Sequence, residues 1–161
     1  FVARVIQPDL NGPEYLPMRF EEDTTLVQDT RPIGKKYFTV EEANCALPYV
    51  SRVIDDVIII YSDIVDLRRL LEHDDLSAEA SQIERKYEQA MDRLGALVDE
   101  LHAVGVELKD FERGLVDFPS IYEDREGLLC WHRGEDHVGY WHELNAGFGG
   151  RQSVDLLAQQ V

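Results

Sequence analysis

Apolar residues recur at helical spacing through two long stretches, Thr39 to His73 and 78 to 104, and the turn "HDDLSAEA" joins them. So short a connection sets two long helices side by side and antiparallel. The first opens on "YFTVEEA". Thr39 is placed to cap it, Glu42 follows three residues on as in a capping box, and Phe38 and Ala43 occupy the positions of a hydrophobic staple. Pro48 falls inside this helix, removes one backbone hydrogen bond and is expected to bend the axis near Asn44 and Cys45. Ser77 is the expected cap of the second helix, and Gly105 its left-handed stop. At 1.5 Å per residue the helices are roughly 40 to 50 Å long.

Their apolar stripes differ in width. On the second helix Ile83, Tyr87, Ala90, Met91, Leu94, Leu97, Val98, Leu101 and Val104 fill an arc of roughly 120°, which one neighbour covers. On the first the arc is roughly 180° wide, flanked by Ile60 and Leu67 on one side and Ile58 on the other. Ile59 and Leu70 point away even from that. One partner helix cannot hide this surface, so the rest of the chain or a second copy must. A helical-hairpin homodimer joined through the first helix is the expected arrangement.

Residues 1 to 36 hold Pro8, Pro13, Pro17 and Pro32 without lasting periodicity and read as an extended arm. After Gly105 the pattern becomes extended. "VELKD", "GLVDFPSIY", "REGLLCWH" and "HVGYWHEL" read as strands. The glycines of "NAGFGGRQ" suggest a flexible connection, and "SVDLLAQQV" a final helical turn capped by Ser153. The expected fold is α+β, a long antiparallel helical hairpin followed by a small, mainly antiparallel β-sheet. The main domain is expected at 37–152, with 153–161 a short helix or tail.

Chemistry-bearing residues crowd into "LLCWHRGEDHVGYWHELNAGFGGR", residues 128 to 151. A three-residue loop at Gly134 to Asp136 pairs Arg133 with His137 and Leu129 with Trp141. Trp131 and Trp141 then share one buried face, with Cys130, His132, Tyr140 and His142 on the other. This register is preferred, because a one-residue slip would split the two indoles. It separates His132 from His142 by roughly 13 Å, too far to share a metal. His142, near the strand end, is the stronger functional candidate: its imidazole suits proton transfer or metal ligation near neutral pH, although a backbone carbonyl could equally satisfy it. Asp110 and Asp117 flank the turn "FERGLV", and with His142 would suit a divalent metal or the activation of a hydrolytic water. No H-x-x-x-H or E-x-x-H spacing demands this.

Charge narrows the partners. Thirty-two acidic residues against 16 Lys and Arg give a net charge of -16, a surface that repels phosphate backbones and anionic lipid. Nucleic-acid and membrane partners are not expected. No apolar run approaches the roughly 18 residues of a membrane span. Cys45 and Cys130 are far apart and form no C-x-x-C pair, as in a reduced, cytoplasmic setting.

Three segments, "FTVEEANCALP", "GVELKDFERGLVDFPS" and the 128–151 stretch, resemble a family of small bacterial proteins known only as domain of unknown function 2203. The resemblance spans about residues 37 to 152. It implies that Lys109, Asp110, Gly114, Asp117, Pro119, Cys130, Trp131, Glu135, Trp141, His142 and Arg151 stand at motif positions, and it implies no activity, substrate or cofactor.

Two functions from different classes follow. The first is an acidic interaction or scaffolding module, dimeric through its hairpin. The alternative is a small metal-dependent enzyme, such as a hydrolase, with His142, Asp110 and Asp117 as catalytic residues at the rim of the sheet and Lys109, Trp131, Glu135, Trp141 and Arg151 as ligand-binding residues. A small aromatic ligand held against the two tryptophans is a third option.

Overall fold

The computed structural model of the chain describes residues 34–73 and 79–158. The expected arm up to residue 33 and the Ser77 cap lie outside them. Helix α1 runs Val40–His73 and α2 runs Ala80–Val104. The capping box forms as the sequence predicts: the Thr39 backbone N–H donates to the Glu42 carboxylate at 2.9 Å, and the Glu42 N–H donates to Thr39 Oγ1 at 3.1 Å. Phe38 and Ala43, the staple, are both buried. Gly105 ends α2 in the left-handed region, at φ 96°, and donates to the Leu101 and His102 carbonyls. The helix runs through Pro48 without interruption.

Five strands follow in sheet order β1-β2-β3-β4-β5, all antiparallel: β1 Glu107–Asp110, β2 Leu115–Tyr122, β3 Arg125–His132, β4 Tyr140–Glu143 and β5 Gln152–Ser153. The fold is α+β, a helical hairpin followed by an antiparallel sheet. Pro119, which cannot donate, is tolerated in β2 because β1 pairs no further than Asp117. Its carbonyl instead accepts the Phe38 N–H at 2.7 Å, fastening the start of α1 to the sheet.

Alternation sorts the strands into two faces. Val116, Phe118, Leu129 and Trp131 point at the hairpin and pack with Val50, Ile54, Val57, Leu97 and Leu101. Trp131 is 1% exposed, and its truncation to Ala would cost about 3–5 kcal/mol. Trp141 lies on the same face, half-buried against the edge of this core, so the two indoles share a face as expected. The β1–β2 turn covers part of the wide stripe of α1: Phe111 stacks on Tyr61 at 5.5 Å, and Gly114 sits against Ile54 and Ile58. Farther along α1, Leu70 is 52% exposed.

Two details depart from the sequence expectation. Leu129 does pair with Trp141, but β3 ends at His132 and β4 starts at Tyr140, so the connection is longer than a three-residue loop and Arg133 does not pair with His137. The loop has better partners. The Trp131 indole donates to the Glu135 carbonyl, and Val138 is fully buried with its N–H donating to Asn44 Oδ1 on α1. The segment expected to be flexible forms a 3-10 turn at Phe148–Gly150 and the short strand β5. Among the described residues, no helix is long and apolar enough to cross a membrane.

Candidate functional site

The face of the sheet turned from the hairpin carries Asp117 on β2, Cys130 on β3 and His142 on β4. A two-residue turn at Glu123 and Asp124 sets the β2–β3 register, and in that register Asp117 stands directly opposite Cys130. His142 pairs with Leu128, one step diagonally from Cys130. Its ring and the Asp117 carboxylate reach across β3, and His142 Nε2 lies 3.3 Å from Asp117 Oδ1. One ligand atom from each of the three residues lies within 4.8 Å of the others. Cys130 is 0% exposed, His142 2% and Asp117 3%.

The hydrogen bonds define the chemistry of the imidazole. His142 Nδ1 lies 2.8 Å from the Glu143 carbonyl, a contact that only a donated N–H satisfies. Nε2 is therefore the atom presented to Asp117, and in a neutral ring it is a lone pair. A lone pair and a carboxylate oxygen at 3.3 Å are two acceptors, which coexist only around a shared proton or a metal ion. Fixing one ring nitrogen on a carbonyl to aim the other is also how metal-ligating histidines are held. Burial, reinforced by the negative charge of Asp117 and partly offset by Arg151, pushes the Cys130 thiol up to about 12. Without a cation this sulfur stays protonated and inert at neutral pH.

Only part of the expected site assembles. Asp117 and His142 meet, but Asp110 does not join them. Its Oδ1 accepts the backbone N–H groups of Glu112 and Arg113 at 2.9 and 2.8 Å, which commits it to the β1–β2 turn. Lys109 is paired with Glu107 at 2.6 Å, and that hydrogen bond, outweighing partial burial, raises the ammonium above its ordinary range. Trp131 belongs to the core. Glu135 accepts the His132 N–H at 3.0 Å, and both its oxygens accept from the Arg151 guanidinium, at 2.7 and 2.8 Å. Arg151 also donates to the Cys130 carbonyl at 3.4 Å and lies over the Tyr140 ring at 4.2 Å. Glu135 and Arg151 thus brace β3 and the 133–139 loop. Trp141 tilts against Tyr122 and lines a shallow cleft with Arg125, Glu126 and Leu144.

Cys130 is the member that spacing missed. The signal was the short turn between "SIY" and "REG": with Glu123 and Asp124 as its two residues, Asp117 falls opposite Cys130. No Gly or Asn marks it, although both residues adopt left-handed φ, 47° and 58°.

The model of an uncharacterized conserved protein family, DUF2203, matches residues 36–154. No curated protein and no solved structure matches the chain.

Proposed function

The chain belongs to the DUF2203 family of uncharacterized conserved proteins, and on that premise we propose that it binds one borderline divalent metal ion, zinc being the best fit, through Asp117, Cys130 and His142. The observation that carries this is the convergence of a carboxylate, a thiol and a correctly aimed imidazole within 4.8 Å in the interior. Thiolate and imidazole donors favour zinc-like ions over magnesium or calcium. A thiolate and a carboxylate also cancel the two positive charges of the ion, so the loaded centre is neutral and its burial is less costly. Side chains so little exposed suit an ion sheltered from bulk solvent, tying β2, β3 and β4 together, better than they suit the turnover of a large substrate. Elemental analysis of protein purified without a metal-affinity tag tests the reading. One metal per chain that disappears in His142→Ala supports it; metal-free wild-type protein refutes it.

A second reading, self-association through the hairpin, is favoured by a different observation: Ile59 is 58% and Leu70 52% exposed on α1, where neither α2 nor the sheet covers them. Sedimentation at high micromolar concentration should give a dimer that Leu70→Glu dissociates. A wild-type monomer at that concentration excludes it.

A further inference from the structure

We infer that Glu107 supplies the fourth ligand of this centre and that Lys109 is the cation holding its place. The inference rests on the metal reading above. Glu107 stands directly opposite Asp117 across β1 and β2, on the same face of the sheet, which sets their Cβ atoms about 4.5–5.5 Å apart. Like charges directly opposite each other repel. Here Asp117 is 3% exposed, so water screens little of that repulsion. Such a pair is stable around a shared cation.

In the structure Lys109 stands in for that cation beside Glu107, from the irregularity that shifts the β1–β2 register between Leu108 and Asp110. Its Nζ lies 2.6 Å from Glu107 Oε2. Lys109 is a weak permanent partner, because its side chain and that of Glu107 are 40% and 44% exposed. Strand β1 is the edge of the sheet, so Glu107 can turn inward from solvent without breaking the core. A second carboxylate completes one nitrogen, one sulfur and two oxygen donors, the four-coordinate set that zinc prefers. Lys109 is released from Glu107 when the ion enters, and the extra negative charge lies at the half-exposed edge strand, where water screens it. Glu107 also supplies what the three buried ligands lack, a donor that meets the ion at the surface and carries it inward.

Calorimetric zinc titration of chelator-stripped protein tests this, with Cys45→Ser in every variant to remove the exposed thiol. Glu107→Gln should keep a stoichiometry of one and weaken zinc by roughly 10–100-fold, the size of effect seen when a supporting metal contact is removed. Lys109→Met should tighten zinc, because the empty carboxylate pair has lost its cation. Unchanged affinity in Glu107→Gln removes Glu107 from the centre, and unchanged or weaker affinity in Lys109→Met removes the placeholder role. Wild-type protein that takes up no zinc overturns the three-ligand reading itself, and this inference with it.

Discussion

Replacing Asp117 by asparagine separates a metal centre from a merely structural ion pair. If the carboxylate were there to neutralise a buried imidazolium, removing its charge would strand that charge in the interior, at about 3–5 kcal/mol. Metal-free protein holds the pair through a shared proton, and the variant has another way to satisfy the ring. The imidazole donates from Nδ1 to the Glu143 carbonyl and presents Nε2 to Asp117, so an amide N–H can donate to the Nε2 lone pair. One buried hydrogen bond replaces another, and stability should change by no more than about 1 kcal/mol. The difference should appear with zinc. At a free concentration 100 times its Kd, an ion that binds only the folded wild-type protein adds about 2.7 kcal/mol. For a chain of this size that raises Tm by roughly 5–11 °C. An amide is a much poorer ligand, so Asp117→Asn should lose most of this rise. Thermal unfolding followed by circular dichroism, with chelator and with buffered zinc, measures both quantities. A wild-type Tm indifferent to zinc, or a variant that responds as strongly as wild type, refutes the reasoning.

Two further predictions concern the frame around the centre, and a third concerns one of its ligands. Gly114→Ala should destabilise by roughly 2–4 kcal/mol in denaturant unfolding, because a Cβ there would lie 2.4 Å from Ile54 Cγ2 at a φ of +61°; a loss below about 1 kcal/mol would contradict the packing. Asp124→Gly should stabilise by about 0.5–1 kcal/mol, since Asp124 holds φ 58° in the β2–β3 turn; a fall in stability would mean the turn is not left-handed in solution. In metal-free protein the Cys130 thiol, pushed up to about 12 by burial, stays protonated after the unfolded chain has lost its thiol proton near pH 9. Stability should therefore fall as pH rises from about 9 toward 12, by at most about 1.4 kcal/mol per pH unit from this group; Cys130→Ala should flatten that slope, and identical slopes in both proteins would contradict it.

The parts legible in the sequence are those written in local pattern. The capping box, the staple, the Gly105 stop and the two helical stripes each depend on residues within a turn or two of one another, and each forms as read except that Met91, expected in the α2 stripe, is 44% exposed. The four main strands were legible from alternation, and the pairing of Leu129 with Trp141 from the need to keep both indoles on one face. The site was only half legible. His142 and Asp117 stood out by chemical type, but Asp110 looks equivalent to Asp117 until the turn at 111–114 is seen to claim its carboxylate. Cys130 enters only once β2 and β3 are in register, and that register hangs on an Asp and a Glu doing a turn usually given to Asn and Gly. Strand β5 escaped notice because the glycines before it suggest freedom, whereas the ladder to Tyr140 and Trp141 fixes it.

The most direct test of the centre is optical. Cobalt(II) added to chelator-stripped protein with Cys45→Ser should give a sulfur-to-cobalt charge-transfer band that saturates at one ion per chain and vanishes when Cys130 is also changed to Ser. Absence of that band in the protein that retains Cys130, or its survival in the one that lacks Cys130, would contradict ligation by this thiol.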